Sequence, residues 1–361
     1  MMVYLANRLS DLGARTDLFH DETGHKANLF ATLGPDREGG IVLSGHSDVV
    51  PVADQDWSSD PFEMIEREGR LYGRGACDMK GFIAATVAAA PDLAARDLSR
   101  PVHFAFTYDE EVGCLGAQAL VEDLRGRGVR PAMAIIGEPT SMRIIEGHKG
   151  CCEYTTHFHG LAGHGSQPER GVNAVEYAVA YVSRLMEVRQ ALIARAPADS
   201  RFDPPWSTIN VGRIEGGLAH NVIAAHAHVE WETRPVAEAD LAFVKREMAR
   251  HVEEDLLPAM RAVYPGADIS TQTIGEVEGL EPLDDNSARR LVAELTGRDE
   301  AELVAFGTEA GLFQGLGLSA VVCGPGSIEQ AHKPDEYVSL DQMRACLDML
   351  EALGDKLAAH V

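Results

Sequence analysis

Three short apolar runs lead directly into residues that can ligate a metal ion: Gly40-Ile41-Val42-Leu43-Ser44-Gly45, Val102-His103-Phe104-Ala105-Phe106-Thr107 and Ala132-Met133-Ala134-Ile135-Ile136-Gly137. The first continues into His46-Ser47-Asp48, the second into Tyr108-Asp109-Glu110-Glu111, and the third into Glu138-Pro139-Thr140. Short apolar runs of this kind read as strands buried on both faces. The stretches 82–95 and 114–125 between them are helical in character, and strands alternating with helices imply a sheet covered on both sides. The pattern returns near the end, with a helix over 286–295, a strand over 319–323 and a closing helix from Asp341.

The middle of the chain follows a different period. Over 222–234, Ile223, Ala225, Ala227, Val229 and Trp231 fall on one face, and His226, His228, Glu230 and Glu232 on the other. That period of two predicts a strand with one wet face, as in an antiparallel sheet. Val175, Val179, Val182 and Met186 recur at helical spacing, as do Leu241, Val244, Met248, Val252 and Leu256. The stretches 152–159 and 268–274 add two strand candidates. We therefore expect an α/β fold, a mixed sheet flanked by helices, with an α+β domain over 151–276 inserted between 1–150 and 277–361. At 361 residues the chain is long enough for two domains, at roughly 100–200 residues each.

Composition narrows the partners. With 32 basic and 56 acidic residues the net charge is −24, which argues against nucleic acid or an anionic membrane surface. No apolar run approaches the ~18 residues of a spanning helix, and the start lacks signal-peptide character, so a cytoplasmic protein is expected. The six cysteines form no C-x-x-C pair, and neither a zinc knuckle nor a disulfide scaffold is indicated.

In open α/β sheets, ligands bind beyond the carboxyl ends of the strands. Besides His46, Glu110, Glu111 and Glu138, that end receives Asp78 from the Gly-rich segment 71–81. The last strand leads through Gly324-Pro325-Gly326 to His332. Two imidazoles with several carboxylates form a mixed N/O set suited to zinc or another divalent first-row metal. Five ligands with one carboxylate shared would hold two ions about 3.5–4 Å apart. Adjacent Glu110 and Glu111 can divide the labour between proton transfer and ligation.

These segments resemble the binuclear zinc aminoacylase/carboxypeptidase family. The resemblance rests on His46-Ser47-Asp48, Gly75-Ala76-Cys77-Asp78-Met79-Lys80-Gly81, Asp109-Glu110-Glu111, Gly137-Glu138-Pro139-Thr140 and Ala331-His332-Lys333-Pro334-Asp335-Glu336-Tyr337. Within the family, Gly147-His148-Lys149-Gly150, Gly307-Thr308-Glu309-Ala310 and the segment 324–332 are most similar to the acetylornithine deacetylase branch. The resemblance implies two divalent ions per chain, Zn2+ with Co2+ as the alternative. His46 and Glu138 would hold one, Glu111 and His332 the other, and Asp78 would bridge. Asp48 would orient His46, and Glu110 would be the general base. The inserted domain would be a lid and dimerisation domain whose His164 stabilises the oxyanion. Asn221 and Arg234 match substrate-carboxylate contacts in the family, and Thr308 joins them as an expected substrate contact. To these we add Glu309, on charge complementarity, as partner for a substrate ammonium. The implied reaction is removal of acetate from N2-acetyl-L-ornithine, in arginine synthesis, by a homodimer. Alternatives are a desuccinylase, a carboxypeptidase or aminoacylase on another N-acyl amino acid, and a metal-poor binding protein of the same fold.

Other motifs read more plainly. Gly73-x-Gly75 lacks the strand and third glycine of a dinucleotide loop. His157-x-His159 and His226-x-His228 have same-face spacing that suits a metal, but on a half-exposed strand we read them as solvated polar residues. Family members usually begin with a helix and a serine-bearing loop; this chain is expected to open in or just before a helix over 3–12, about one element short.

Overall fold

The computed structural model describes residues 1–358, which divide into two compact units. The first comprises Met1–Gly147, Leu280–Leu303 and the chain from Thr308 on; the second comprises His148–Gly279 with Val304–Gly307.

The apolar runs of the first unit form the centre of an eight-stranded sheet. Its order is Arg15–His20, Ala27–Leu33, Val102–Thr107, Ile41–His46, Met133–Ile136, Ser319–Val322, Ile144–His148, Ala301–Val304. The four strands from Val102–Thr107 to Ser319–Val322 are parallel, whereas Ala27–Leu33 and Ile144–His148 join antiparallel. Every residue of Ile41–His46 and Val102–Thr107 is buried, as unalternated apolar runs require. Strands Arg15–His20 and Ala27–Leu33 were not anticipated, because charged and polar residues interrupt the first of them.

Helices Met2–Ser10, Lys80–Ala94, Ser287–Thr296 and Leu340–Leu357 share one core with Leu43, Phe104, Phe106, Ile135 and Val321. Helices Leu115–Arg127 and Ala310–Gly315 pack on each other and on the sheet. Asn286 and Ser339 cap two of these helices, their side chains accepting from the N–H groups of Arg289 and Gln342.

In the second unit, Thr208–Gly216, His226–Arg234, Cys151–His159 and Asp268–Val277 form an antiparallel sheet in that order. Tyr154, Phe158, Val229 and Trp231 pack against helix Ala174–Ala194 and the run 238–263. That run is α-helical over Glu238–Arg250 and Leu257–Val263, with a π-helical turn, His251–Leu256, between. The strand expected over 222–234 is in fact two. Val222–Ile223 pairs with Gly163–His164 in a separate ribbon, and only His226–Arg234 joins the sheet. The period of two runs through both pieces, so alternation alone could not reveal the break.

Gly137 links this packing to strand geometry. A Cβ there would lie 1.9 Å from the Phe82 ring, so helix Lys80–Ala94 sits directly against the chain that presents Glu138. We expect Gly137→Ala to lower stability by at least ~1–3 kcal/mol, the usual cost of overpacking. The urea midpoint measures it, and an unchanged midpoint would contradict this packing.

Candidate metal centre

The parallel strands end side by side, so the residues that follow them meet. His46 is the last residue of its strand and is buried. Its Nε2 lies 2.9 Å from Asp78 Oδ1 and 3.7 Å from Glu138 Oε1. His332 closes the group from the far end of the chain. Its Nε2 lies 3.3 Å from Asp78 Oδ2 and 3.1 Å from Glu111 Oε2. Asp78 thus offers one oxygen to each imidazole. Two sets of donor atoms converge within 4.8 Å: His46, Asp78 and Glu111, and His46, Glu110 and Glu138. Asp78 and Glu138 are buried, while His332, with 54 % of its side chain exposed, is the open side of the cluster.

Crowding of acids dominates the electrostatics. Burial, reinforced by Glu111 and Asp78 against the pull of His46, pushes the Glu110 carboxyl up to about 8. Burial and the neighbouring Asp78 raise Glu138 well above the usual carboxylate range. Burial would also raise Asp78, but the bonds from His332 and His46 outweigh it and hold Asp78 low. Asp78 and Glu111 in turn raise His332 to about 10. For His46, burial acts downward, yet Asp48 and Asp78 lift the imidazole well above its ordinary value. Buried carboxylates that remain too close to be comfortably ionised, arranged around two imidazoles, are a donor set that fits divalent cations.

The surroundings hold these donors in place. Asp48 faces the other nitrogen of His46, Oδ1 to Nδ1 at 3.5 Å, and its Oδ2 accepts the Glu111 N–H at 3.1 Å. Asp48 Oδ1 is buried without a hydrogen-bond partner. A carboxylate on the far nitrogen is what a metal-bound imidazole ordinarily requires. Asp109, Cys114 and His332 have left-handed backbones, with φ of +53°, +54° and +62°. Such conformations in non-glycine residues cluster at functional sites; here the first two bracket the Glu110-Glu111 turn and the third is itself a donor.

One supporting residue was missed by the sequence reading. Glu336, fully buried, accepts from the backbone N–H groups of Gly75, Cys77 and Asp78 at 3.0, 2.8 and 3.0 Å. It also pairs with Arg74 at 2.7 Å. Arg74 passes the connection to Gln55, which donates to the His332 carbonyl at 2.9 Å. The loop bearing Asp78 and the loop bearing His332 are thus tied through one carboxylate. An acid four residues after His332 was the available signal, but nothing local shows that it reaches back to residue 78.

The other expected site residues fall into two groups. Glu309 and Thr308 are both buried. Glu309 accepts from Ser44 Oγ at 2.5 Å and Thr107 Oγ1 at 2.8 Å, and the Thr308 hydroxyl accepts the Ala310 N–H at 3.1 Å. Both side chains are thus engaged within the chain itself. Glu309 braces the two strands that lead to His46 and to Glu110. His164, Asn221 and Arg234 belong to the second unit. The first two are exposed and adjacent: Gly165 donates to the Asn221 carbonyl at 2.9 Å, and His164 Nδ1 lies 2.8 Å from Ser166 Oγ. Arg234 is half-buried and pairs with Glu232 at 3.0 Å.

Replacing Glu336 by Gln would leave Arg74 buried without its counter-charge and turn an amide N–H2 toward backbone donors. Breaking such a buried pair costs ~3–5 kcal/mol. Glu336→Gln is therefore expected to lower the unfolding free energy by about that amount in urea titrations, and a loss below ~1 kcal/mol would show that the tie is not needed.

The sequence pattern of peptidase family M20/M25/M40 matches residues 42–356. The chain is 36 % identical over 351 residues to an acetylornithine deacetylase of Pasteurella multocida, covering 97 % of this chain and 88 % of that one. It is 38 % identical over 338 residues to an acetylornithine deacetylase of Proteus mirabilis, covering 93 % and 84 %. Its fold is similar to that of Sso-CP2, an M20 family metallo-carboxypeptidase from Sulfolobus solfataricus. That likeness has a TM-score of 0.75 at 19 % identity and covers 99 % of this chain and 93 % of the other. A match over most of the chain and full-length relatives above one-third identity lead to one conclusion: the chain belongs to peptidase family M20/M25/M40.

Proposed function

We propose that this protein is a metal-dependent amidohydrolase that removes the acetyl group from N2-acetyl-L-ornithine, giving ornithine and acetate for arginine synthesis. The observation that carries the reading is the identity with acetylornithine deacetylases over almost the whole chain, together with an unbroken donor cluster. In this reading 1–150 and 277–361 form the catalytic domain, and 151–276 the lid and dimerisation domain of a cytoplasmic homodimer.

His46 and Glu138 would hold one divalent ion and Glu111 and His332 a second, with Asp78 shared; zinc suits the mixed imidazole and carboxylate set best, and cobalt is the alternative. Such ions supply Lewis acidity, acidifying water and polarising a carbonyl. Glu110 performs the proton transfers. Its carboxylate oxygen lies within 4.8 Å of donor atoms of His46 and Glu138, so it stands at the edge of the cluster where a proton must be taken up and released. One oxygen accepts a proton from the attacking water as the C–O bond forms; the same proton then passes to the nitrogen as the C–N bond breaks. Asp48 keeps the His46 ring oriented. His164 donates to the oxyanion from the lid of the partner copy. Asn221 and Arg234 receive the substrate carboxylate, for which a guanidinium fork is well shaped.

A panel of N-acetylornithine, N-succinyl-diaminopimelate, N-acetylmethionine and a dipeptide tests the reading, with N-acetylornithine expected to show the highest kcat/KM. A clear preference for another member would reassign the substrate. Glu110→Ala should reduce kcat by about 10²–10⁴-fold with metal content unchanged; loss of the metal would assign Glu110 to ligation instead. Because Glu309 is buried on Ser44 and Thr107, Glu309→Gln should lower kcat/KM for N-acetylornithine and N-acetylmethionine by the same factor. A selective rise in KM for the ornithine substrate would restore Glu309 as an ammonium partner.

A further inference from the structure

We propose that the wet face of the second unit's sheet carries a binding site for a first-row transition-metal ion, held by His159 and His226. Nothing in the hydrolytic reading uses these residues. The two His-x-His motifs lie on adjacent antiparallel strands, Cys151–His159 and His226–Arg234, and the register sets His226 opposite His159 and His228 opposite His157. The intervening Phe158, Ala227 and Val229 are buried in the helix-covered core, so all four imidazoles share the other face.

The first pair already has the spacing of two ligands on one ion. His159 Nδ1 and His226 Nδ1 are 3.1 Å apart, with the rings nearly perpendicular at 78°. Two nitrogens each ~2.0–2.1 Å from one ion and subtending roughly 90–110° are about 2.9–3.4 Å apart. The observed separation falls inside that window without moving either strand. His157 and His228 stand beside them, with ring centroids 6.1 Å apart.

The neighbouring strands add negative charge. Asp268 is opposite His159 and Glu215 opposite His228, and Glu230 lies 3.5 Å from His228. Asp268 is also paired with Arg261 at 3.2 Å, so the His pair is the primary donor set and water completes the coordination. Imidazole donors favour Cu2+, Ni2+ and Zn2+ over the hard cations. Neither motif reveals this alone: each supplies two nitrogens on one strand, and only the register makes two from different strands converge.

The test uses the full-length protein, stripped with a chelator and titrated with Cu2+ at pH 7.5, with uptake followed by calorimetry and the copper EPR spectrum. The wild type is expected to bind one more Cu2+ per chain than either His159→Gln or His226→Gln, and its copper spectrum to show one additional nitrogen-coordinated component, beyond that of the His46 and His332 cluster, which both variants lose. Zinc-loaded hydrolytic activity should be the same in all three. A second measurement needs no variant: diethyl pyrocarbonate labelling of His159 and His226, read by mass spectrometry, should fall at least ~10-fold when Cu2+ is present. Equal copper uptake by the wild type and both variants would overturn the site. So would unchanged labelling, which would leave the 3.1 Å contact as an ordinary hydrogen bond between two imidazoles.

Discussion

Mutual repulsion among Asp78, Glu110, Glu111 and Glu138 is the constraint on which the larger unit's design turns. Placing several carboxylates at the end of a buried sheet is unfavourable unless something positive stands between them. His46 and His332 supply that charge in the chain itself, each within 3.3 Å of Asp78. Burial, reinforced by the neighbouring acids, still holds the Glu110 and Glu138 carboxyls above the usual carboxylate range despite the pull of His46. Divalent ions match such a set, both in charge and in preference for nitrogen and oxygen donors.

Holding such a cluster together takes more than the donors. Three supporting carboxylates are engaged by the backbone, by hydroxyls or by the far nitrogen of the His46 ring. Glu336 gathers the N–H groups of the 75–78 loop, Asp48 faces His46 and accepts from Glu111, and Glu309 joins Ser44 to Thr107. Each fixes a different segment: the loop of Asp78, the ring of His46, and the two central strands. In a chain this acidic, many carboxylates therefore act as struts for the few placed to react.

The second unit divides its work between the two faces of one sheet. Aromatic residues Tyr154, Phe158 and Trp231 join Tyr181 of the covering helix in the core. The opposite face is polar along its length, from Arg234 and Glu232 at one end to the four histidines at the other. A face released from the demands of packing can carry charge and ligands at a fixed cross-strand spacing.

Much of this was legible in the linear order of residues. Unalternated apolar runs marked the parallel strands, the period of two marked His226–Arg234, and helical spacing marked Ala174–Ala194 and Glu238–Arg250. Local pattern placed a group of candidate donors at strand ends and a glycine-rich turn, and the choice of five among them came from the resemblance to a family. The sequence determined which residue types end at the same edge of the sheet, since burial periodicity and turn chemistry are short-range properties. Which of them face one another was decided only by the tertiary structure. The reach of Glu336 to residues 75–78, the withdrawal of Glu309 behind Ser44 and Thr107, and the meeting of His159 with His226 all join positions dozens to hundreds of residues apart. Strand order and register set those distances, and neither is carried by any single segment.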